Sequence, residues 1–255
     1  MRQCLFCDNP ANSKEHVWPD WILKSLRVRE PIRIKLGKSD ELLVPNSEQQ
    51  IKAVCKPCNN GWMSALEQSN MPLIGNLIHD VAFSMNGFQQ LQVAKWAVKM
   101  AMVSDFTGRS SRELFFDQAE REQLRVASNL PYRTTVSLAR YRLPSHIGLW
   151  GTDSWCLDKS IHAFVATVLV GHLAMQVVTL RCTEQWDGVD VTVKTADAPG
   201  KRPWPQMLTE VWPTKVSAQW PPNTSFKDTA EFSRLVRRYS YGKNLLEPQA
   251  LEHAD

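Results

Sequence analysis

Cys4 and Cys7 form one CxxC pair, and Cys55 and Cys58 form a second, enclosing Lys56-Pro57. Two thiols separated by two residues at a tight turn can face one metal, and a second such pair completes a tetrahedron. Two pairs among only six cysteines therefore predict a closed, four-thiolate structural zinc site. Redox activity of one pair is the weaker alternative, because the other pair is present. Forty-seven residues lie between Cys7 and Cys55, so the zinc must close a sizeable loop. Inside that loop stands Glu15-His16-Val17-Trp18-Pro19, and Asn59-Asn60 follows the last cysteine. A carboxylate and an amide oxygen suit a hard cation such as Mg²⁺ or Mn²⁺, and an imidazole beside them can take a proton from water. Neighbouring residues on a strand point to opposite faces, so Glu15 and His16 can share a site only where the backbone bends.

The joint pattern resembles the HNH endonuclease family, nucleases with a ββα metal active site, and is closest to the zinc-knuckle subgroup with CxxC, EHxxP and CxxCN motifs. The resemblance rests on Cys4/Cys7, Glu15-His16 with Pro19, and Cys55/Cys58 with Asn59, and covers residues 1 to about 70. It implies that Glu15 and Asn59 hold a catalytic divalent ion and that His16 is the general base. The family's middle Asn would fall on Gln50, with Asn46 a second candidate. Its last helical His or Lys would fall near Trp62 or Met63, neither of which can bind a metal, so Glu67 one turn later is the candidate substitute. The implied activity is hydrolysis of nucleic-acid phosphodiesters, DNA first, by a hydrolase of the endonuclease type.

Composition neither supports nor opposes a nucleic-acid partner, since the net charge is only +4 over 255 residues. Distribution is more telling. Lys24, Arg27, Arg29, Arg33, Lys35 and Lys38 are opposed only by Glu30, all within the zinc-bracketed segment, and are expected to grip phosphates without reading sequence. Arg234, Arg237, Arg238 and Lys243 form a second basic group. Unpaired Cys156 and Cys182 fit a reducing cytoplasm better than a disulfide. Met1 to Cys7 has no apolar leader core. Double-stranded DNA is the expected partner, no membrane is expected, and a homo-oligomer is left open.

Elements must position these groups. Residues 1–72 are dense in cysteine, proline and turn formers, as a metal-nucleated module requires. Val54 to Asn60 reads as a strand end and knuckle, and Gly61 to Gln68 as a helix start that Pro72 interrupts or follows with a new helix. Val93, Trp96, Ala97, Met100 and Ser104 share one helical face, with Lys95 and Lys99 away from it. Ser110-Ser111-Arg112-Glu113 reads as a capping box for a helix to about Ser128. Thr134–Leu143, Val189–Thr195 and Met207–Trp212 read as strands. Ser160 to Leu180 carries no charge and is long enough to suggest a membrane span. Its Val and Thr content and central Gly171-His172 instead predict a hairpin of Ile161–Val170 and Leu173–Arg181. Asp228-Thr229-Ala230-Glu231 predicts a capped helix carrying Phe232, Leu235, Val236 and Tyr239 and ending near Gly242. The four Trp-Pro pairs read as strand ends with indoles in the core, base-stacking platforms being the alternative.

The expected architecture is α+β. A zinc-stabilised, treble-clef-like ββα module occupies residues 1–72, and an α+β domain with an antiparallel sheet and unknown role occupies residues 73–255. Two other classes remain in play. One is a non-catalytic zinc-binding adaptor with a degenerate site. The other is a ligand sensor in residues 73–255 that gates a nuclease, as in a defence system.

Overall fold

A computed structural model describes residues 2–16, 18–27, 32–36, 42–44, 50–107, 114–127, 129–143, 147–158, 161–182 and 204–236. In chain order the first elements are β1 (Ser13–His16), α1 (Asp20–Ser25), β2 (Ile32–Leu36), β3 (Leu42–Val44) and β4 (Gln50–Val54). A short helix, α2 (Lys56–Cys58), then passes through a π-helical turn at Asn59–Met63 into α3 (Ser64–Ile78). Next come β5 (Phe83–Asn86), α4 (Gly87–Thr107), α5 (Gln118–Val126), β6 (Thr134–Tyr141), β7 (Ile147–Asp158), β8 (Ile161–Val170) and β9 (Leu173–Cys182). The described chain closes with α6 (Trp204–Met207), β10 (Thr209–Trp212), β11 (Ser217–Trp220), β12 (Ser225–Phe226) and α7 (Thr229–Val236).

The main sheet runs β10-β6-β9-β8-β7-β2-β3, and β12 pairs with β6. Most of its pairings are antiparallel; β2 on β7 and β12 on β6 are parallel. Its centre is the charge-free segment, which folds as the expected hairpin. Side-chain alternation explains the composition. Phe164, Ala166, Val168 and Val170 face the main core, whereas Val165 and Leu169 pack on the other side. A sheet covered on both faces wants apolar residues at every position. No helix among the described residues is long and apolar enough to cross a membrane.

Gly171 makes the turn at φ +57°, a left-handed conformation that a side chain disfavours. A Cβ there would stand 2.6 Å from the carbonyl oxygen of Ile78, which accepts the His172 N–H at 2.9 Å. The hairpin tip is thereby docked on the end of α3. Cys156 lies on β7 and Cys182 on β9, with β8 between them. Strands two apart are separated by roughly 9.5 Å, beyond disulfide reach.

Several expectations are corrected. Pro72 lies inside α3, which continues through it. The helix expected to start near Ser110 begins at Gln118, capped by Asp117 and Glu120 in a reciprocal box. Before it, Asp105 Oδ2 accepts the N–H groups of Phe115 and Phe116 and holds those residues out of the helix. Residues 110–113 themselves, Val189–Thr195, Arg237, Arg238, Tyr239, Gly242 and Lys243 lie outside the described residues. Lys99, expected away from the buried face of α4, has no exposed surface. That helix packs against α3 and against β6 to β10, so few of its positions remain for solvent.

Trp18 and Trp220 are buried and Trp212 is half-buried, but Trp204 opens helix α6 instead of ending a strand. A single hydrophobic core joins Cys4, Phe6, Trp18, Val54 and Met63 to Trp96, Met100, Phe164 and Met175. The expected boundary at residue 72 falls within α3, and β2, from the zinc-bracketed loop, hydrogen-bonds along β7.

Candidate metal centre and adjoining pocket

The sulfur atoms of Cys4, Cys7, Cys55 and Cys58 all lie within 4.8 Å of one another, and all four residues are buried. Cys7 Sγ stands 3.6 Å from both Cys55 Sγ and Cys58 Sγ. A tetrahedron with Zn–S bonds of about 2.3 Å has edges of about 3.8 Å, so the sulfurs are already spaced for zinc. Backbone amides support them: Cys4 Sγ accepts from Cys55 N–H at 3.2 Å and Phe6 N–H at 3.5 Å, and Cys55 Sγ accepts from Cys58 N–H at 3.4 Å. Burial pushes the Cys4 and Cys58 thiols up from their ordinary value. At Cys55 burial also raises the thiol, but hydrogen bonds from Cys58 N–H and the neighbouring thiols outweigh it and bring it down. Four buried sulfurs of this kind need a soft divalent cation to remain thiolates.

Arg121 of α5 braces the first knuckle. Its Nε donates to the Leu5 carbonyl at 2.6 Å and its Nη1 to the Phe116 carbonyl. Trp62, where the resemblance would set a metal-binding helical residue, instead packs edge-on against Phe6, with ring centroids 4.9 Å apart. It belongs to the wall of the cysteine cluster.

Beside the cluster, β1 and β4 pair antiparallel, and the helical segment α2–α3 follows β4 directly. The pairing shifts between Ser13 and Glu15, a bulge that locally twists β1. Glu15, His16, Pro19, Asp20, Trp21, Asn59, Asn60, Met63, Ser64 and Glu67 line one pocket of about 240 Å³. Met63 and Glu67 lie one turn apart at the start of α3, and Asn59, on the other side of the break at Gly61, lines the same pocket. Gly61, at φ −94° and ψ −110°, is non-helical and makes the break between α2 and α3.

Each side chain is held. Asn59 Nδ2 donates to Ser13 Oγ at 2.9 Å and to the Lys14 carbonyl at 3.1 Å, which leaves its oxygen for a ligand. His16 Nε2 is 2.6 Å from Gln50 Nε2. Gln50 is thus the imidazole's cross-strand partner and does not line the pocket. Glu15 is buried, and its Oε1 lies 3.1 Å from Lys99 Nζ. The same ammonium lies 2.7 Å from Glu67 Oε1. Burial alone would drive Lys99 toward its neutral form, but the Glu15 and Glu67 carboxylates outweigh that and hold its pKa above the ordinary value. Removing one member of such a buried ion pair typically costs about 3–5 kcal/mol.

Comparison with protein-family models, with curated proteins and with solved structures finds no match to this chain. Function must therefore be argued from the geometry.

Sequence spacing missed Lys99. The available signal was its isolation as the sole charge in Trp96–Ser104, within a helix apolar on most sides. Among the basic residues proposed for phosphates, Lys24 is exposed and pairs with Asp20 at 2.5 Å, and Arg27 is exposed. Arg33 and Lys35 lie in β2, a strand of the main sheet, while Arg29, Lys38 and Asn46 lie outside the described residues. His79 and Asp80, an acid–histidine pair in reverse order, have other partners: His79 Nε2 meets Ser25 Oγ at 2.7 Å, and Asp80 pairs with Arg140. Among the described residues, only the four cysteines bring three or more His, Cys, Asp or Glu ligand atoms that close together.

Proposed function

We propose that this chain is a zinc-stabilised, metal-dependent nuclease of the HNH type that hydrolyses phosphodiester bonds, with DNA as the first substrate to test. The observation that carries the reading is the convergence of Glu15, His16 and Asn59, from β1 and from the start of the helical segment, on one pocket beside the cysteine cluster. An antiparallel strand pair followed by a helix supports it, because that is the arrangement the family resemblance implies.

The pocket's oxygen donors fit a hard divalent ion. Mg²⁺ usually takes one or two carboxylates and keeps several waters, so a dense protein cage is not required. Glu15 and the Asn59 amide oxygen would hold the ion, and Glu67 would serve as counter-charge to Lys99. When bound, the ion supplies Lewis-acid stabilisation of charge on the phosphate oxygens. His16 takes a proton from water, and the water oxygen attacks phosphorus. As that P–O bond forms, the bond to the leaving sugar oxygen breaks, and the leaving oxygen takes a proton from bulk water while His16 later returns its own to solvent. Gln50 keeps the imidazole oriented for this step. Pro19, Trp21 and Met63 form apolar wall beside it. Reduced cysteines suit a reducing, cytoplasmic-type compartment.

Incubation of zinc-loaded protein with supercoiled plasmid and Mn²⁺ tests the reading. Nicking by wild type and its loss in His16→Ala are expected. An inert wild type, or equal nicking by the variant, rejects it.

A second reading is favoured by the Glu15–Lys99–Glu67 cluster. Lys99 occupies one oxygen of Glu15 and one of Glu67, as it would in a non-catalytic adaptor whose acidic residues only anchor α4. A plasmid left intact, combined with one retained zinc per chain, selects that reading.

A further inference from the structure

Lys99 comes from α4, outside the segment that carries the cysteines and the Glu-His pair. Its ammonium nevertheless contacts two of the three carboxylates that border the pocket, Glu15 at 3.1 Å and Glu67 at 2.7 Å. The ammonium is wholly buried and does not line the pocket, so it is shielded from a substrate. It must act through the carboxylates.

We propose that Lys99 is a positioning residue and a built-in counter-ion: it aligns Glu15 and Glu67 and cancels one of their two negative charges, so the pocket takes a single divalent cation and keeps net positive charge once loaded. This inference rests on the nuclease reading for its biological use, but its physical content is a statement about cation affinity. Asp20, the third lining carboxylate, is offset by Lys24 at 2.5 Å; Glu15, Glu67 and Lys99 then sum to −1, and a divalent ion brings the total to +1, attractive to a phosphodiester. Without Lys99 the sum is −2, and the loaded site is neutral. Charge interactions at these separations are strong even with an effective dielectric near 20.

The geometry also ties the pocket to the rest of the molecule. α4 packs on β6 to β10, so the position of Lys99 is set by the large sheet. The pocket carboxylates are thereby registered against an element far along the chain.

Mn²⁺ binding to zinc-loaded protein, followed by electron paramagnetic resonance, tests the proposal without any turnover. Wild type is expected to bind one Mn²⁺ beyond the structural zinc. Lys99→Met should bind it about tenfold or more tightly, and should lose nicking activity because the loaded pocket no longer attracts phosphate. If Lys99→Met does not fold, the double variant Lys99→Met/Glu67→Gln restores the sum of −1. Its Mn²⁺ affinity should then lie within about threefold of wild type. A purely structural lysine would lower thermal stability and leave the Mn²⁺ affinity of the folded variant unchanged. That outcome, or a wild type that binds no Mn²⁺ in the pocket, overturns the inference. Should Mn²⁺ affinity follow charge while plasmid and RNA remain intact, Lys99's role stands and the nuclease reading fails. Cleavage by wild type with an unmoved Mn²⁺ affinity would instead keep the nuclease reading and remove Lys99 as its counter-ion.

Discussion

His16 Nε2 lies 2.6 Å from the side-chain nitrogen of Gln50, directly across the β1–β4 ladder. An imidazole held on one nitrogen can act as a base only through the other. In this geometry the Gln50 amide N–H donates to His16 Nε2; base chemistry at Nδ1 requires the amide to turn so that its oxygen accepts from His16 Nε2–H and leaves the Nδ1 lone pair open to water. Gln50→Leu is expected to keep the fold and to lower the nicking rate about tenfold to a hundredfold, as loss of an orienting partner does. Gln50→Glu should retain more activity than Gln50→Leu. Steady-state nicking by the purified variants checks both; a fully active Gln50→Leu would remove Gln50 from the mechanism.

Zinc binding should depend on pH with a definite sign. Burial raises the Cys4 and Cys58 thiols, so metal-free protein holds those protons at neutral pH. Zinc must displace them, hence apparent affinity rises with pH and falls in acid. At least one proton released corresponds to about tenfold per pH unit. Competition with a chromophoric chelator at pH 6, 7 and 8 measures the slope; a flat response contradicts four-thiolate binding.

Arg121 links α5 to the first knuckle through the Leu5 carbonyl. Burial lowers its pKa, so the guanidinium stays where it is because its hydrogen bonds hold it. Arg121→Met leaves two buried carbonyls without that donor, at an expected loss of about 2–4 kcal/mol. Urea unfolding gives the loss, and faster zinc release to chelator should accompany it. An unchanged midpoint would show the brace to be dispensable.

Gly171→Ala should be costly for two separate reasons. The left-handed φ of +57° and the contact with Ile78 O at 2.6 Å each oppose a Cβ. Together they predict about 2–5 kcal/mol of destabilisation. Gly75→Ala, where a Cβ meets nothing within 4 Å, is the matched control and should hold or raise the melting temperature. Calorimetry of the two variants decides it.

Features encoded within a few residues of one another were legible in the chain. The CxxC spacing marked four sulfurs that the fold gathers within 4.8 Å. Val- and Thr-rich alternation around Gly171 marked β8 and β9, and Asp228 with Glu231 marked the start of α7, where Glu231 N–H donates to Asp228 Oδ1 at 2.7 Å. Those signals are local: backbone conformation, side-chain period and short-range hydrogen bonds determine them. Tertiary structure alone decided which groups meet across the chain. Lys99 reaches Glu15 over 84 positions, Arg121 reaches Leu5 over 116, and β2 joins β7 rather than staying with the knuckles. A buried ammonium looks like any surface lysine until packing removes its water and leaves only two carboxylates to replace it.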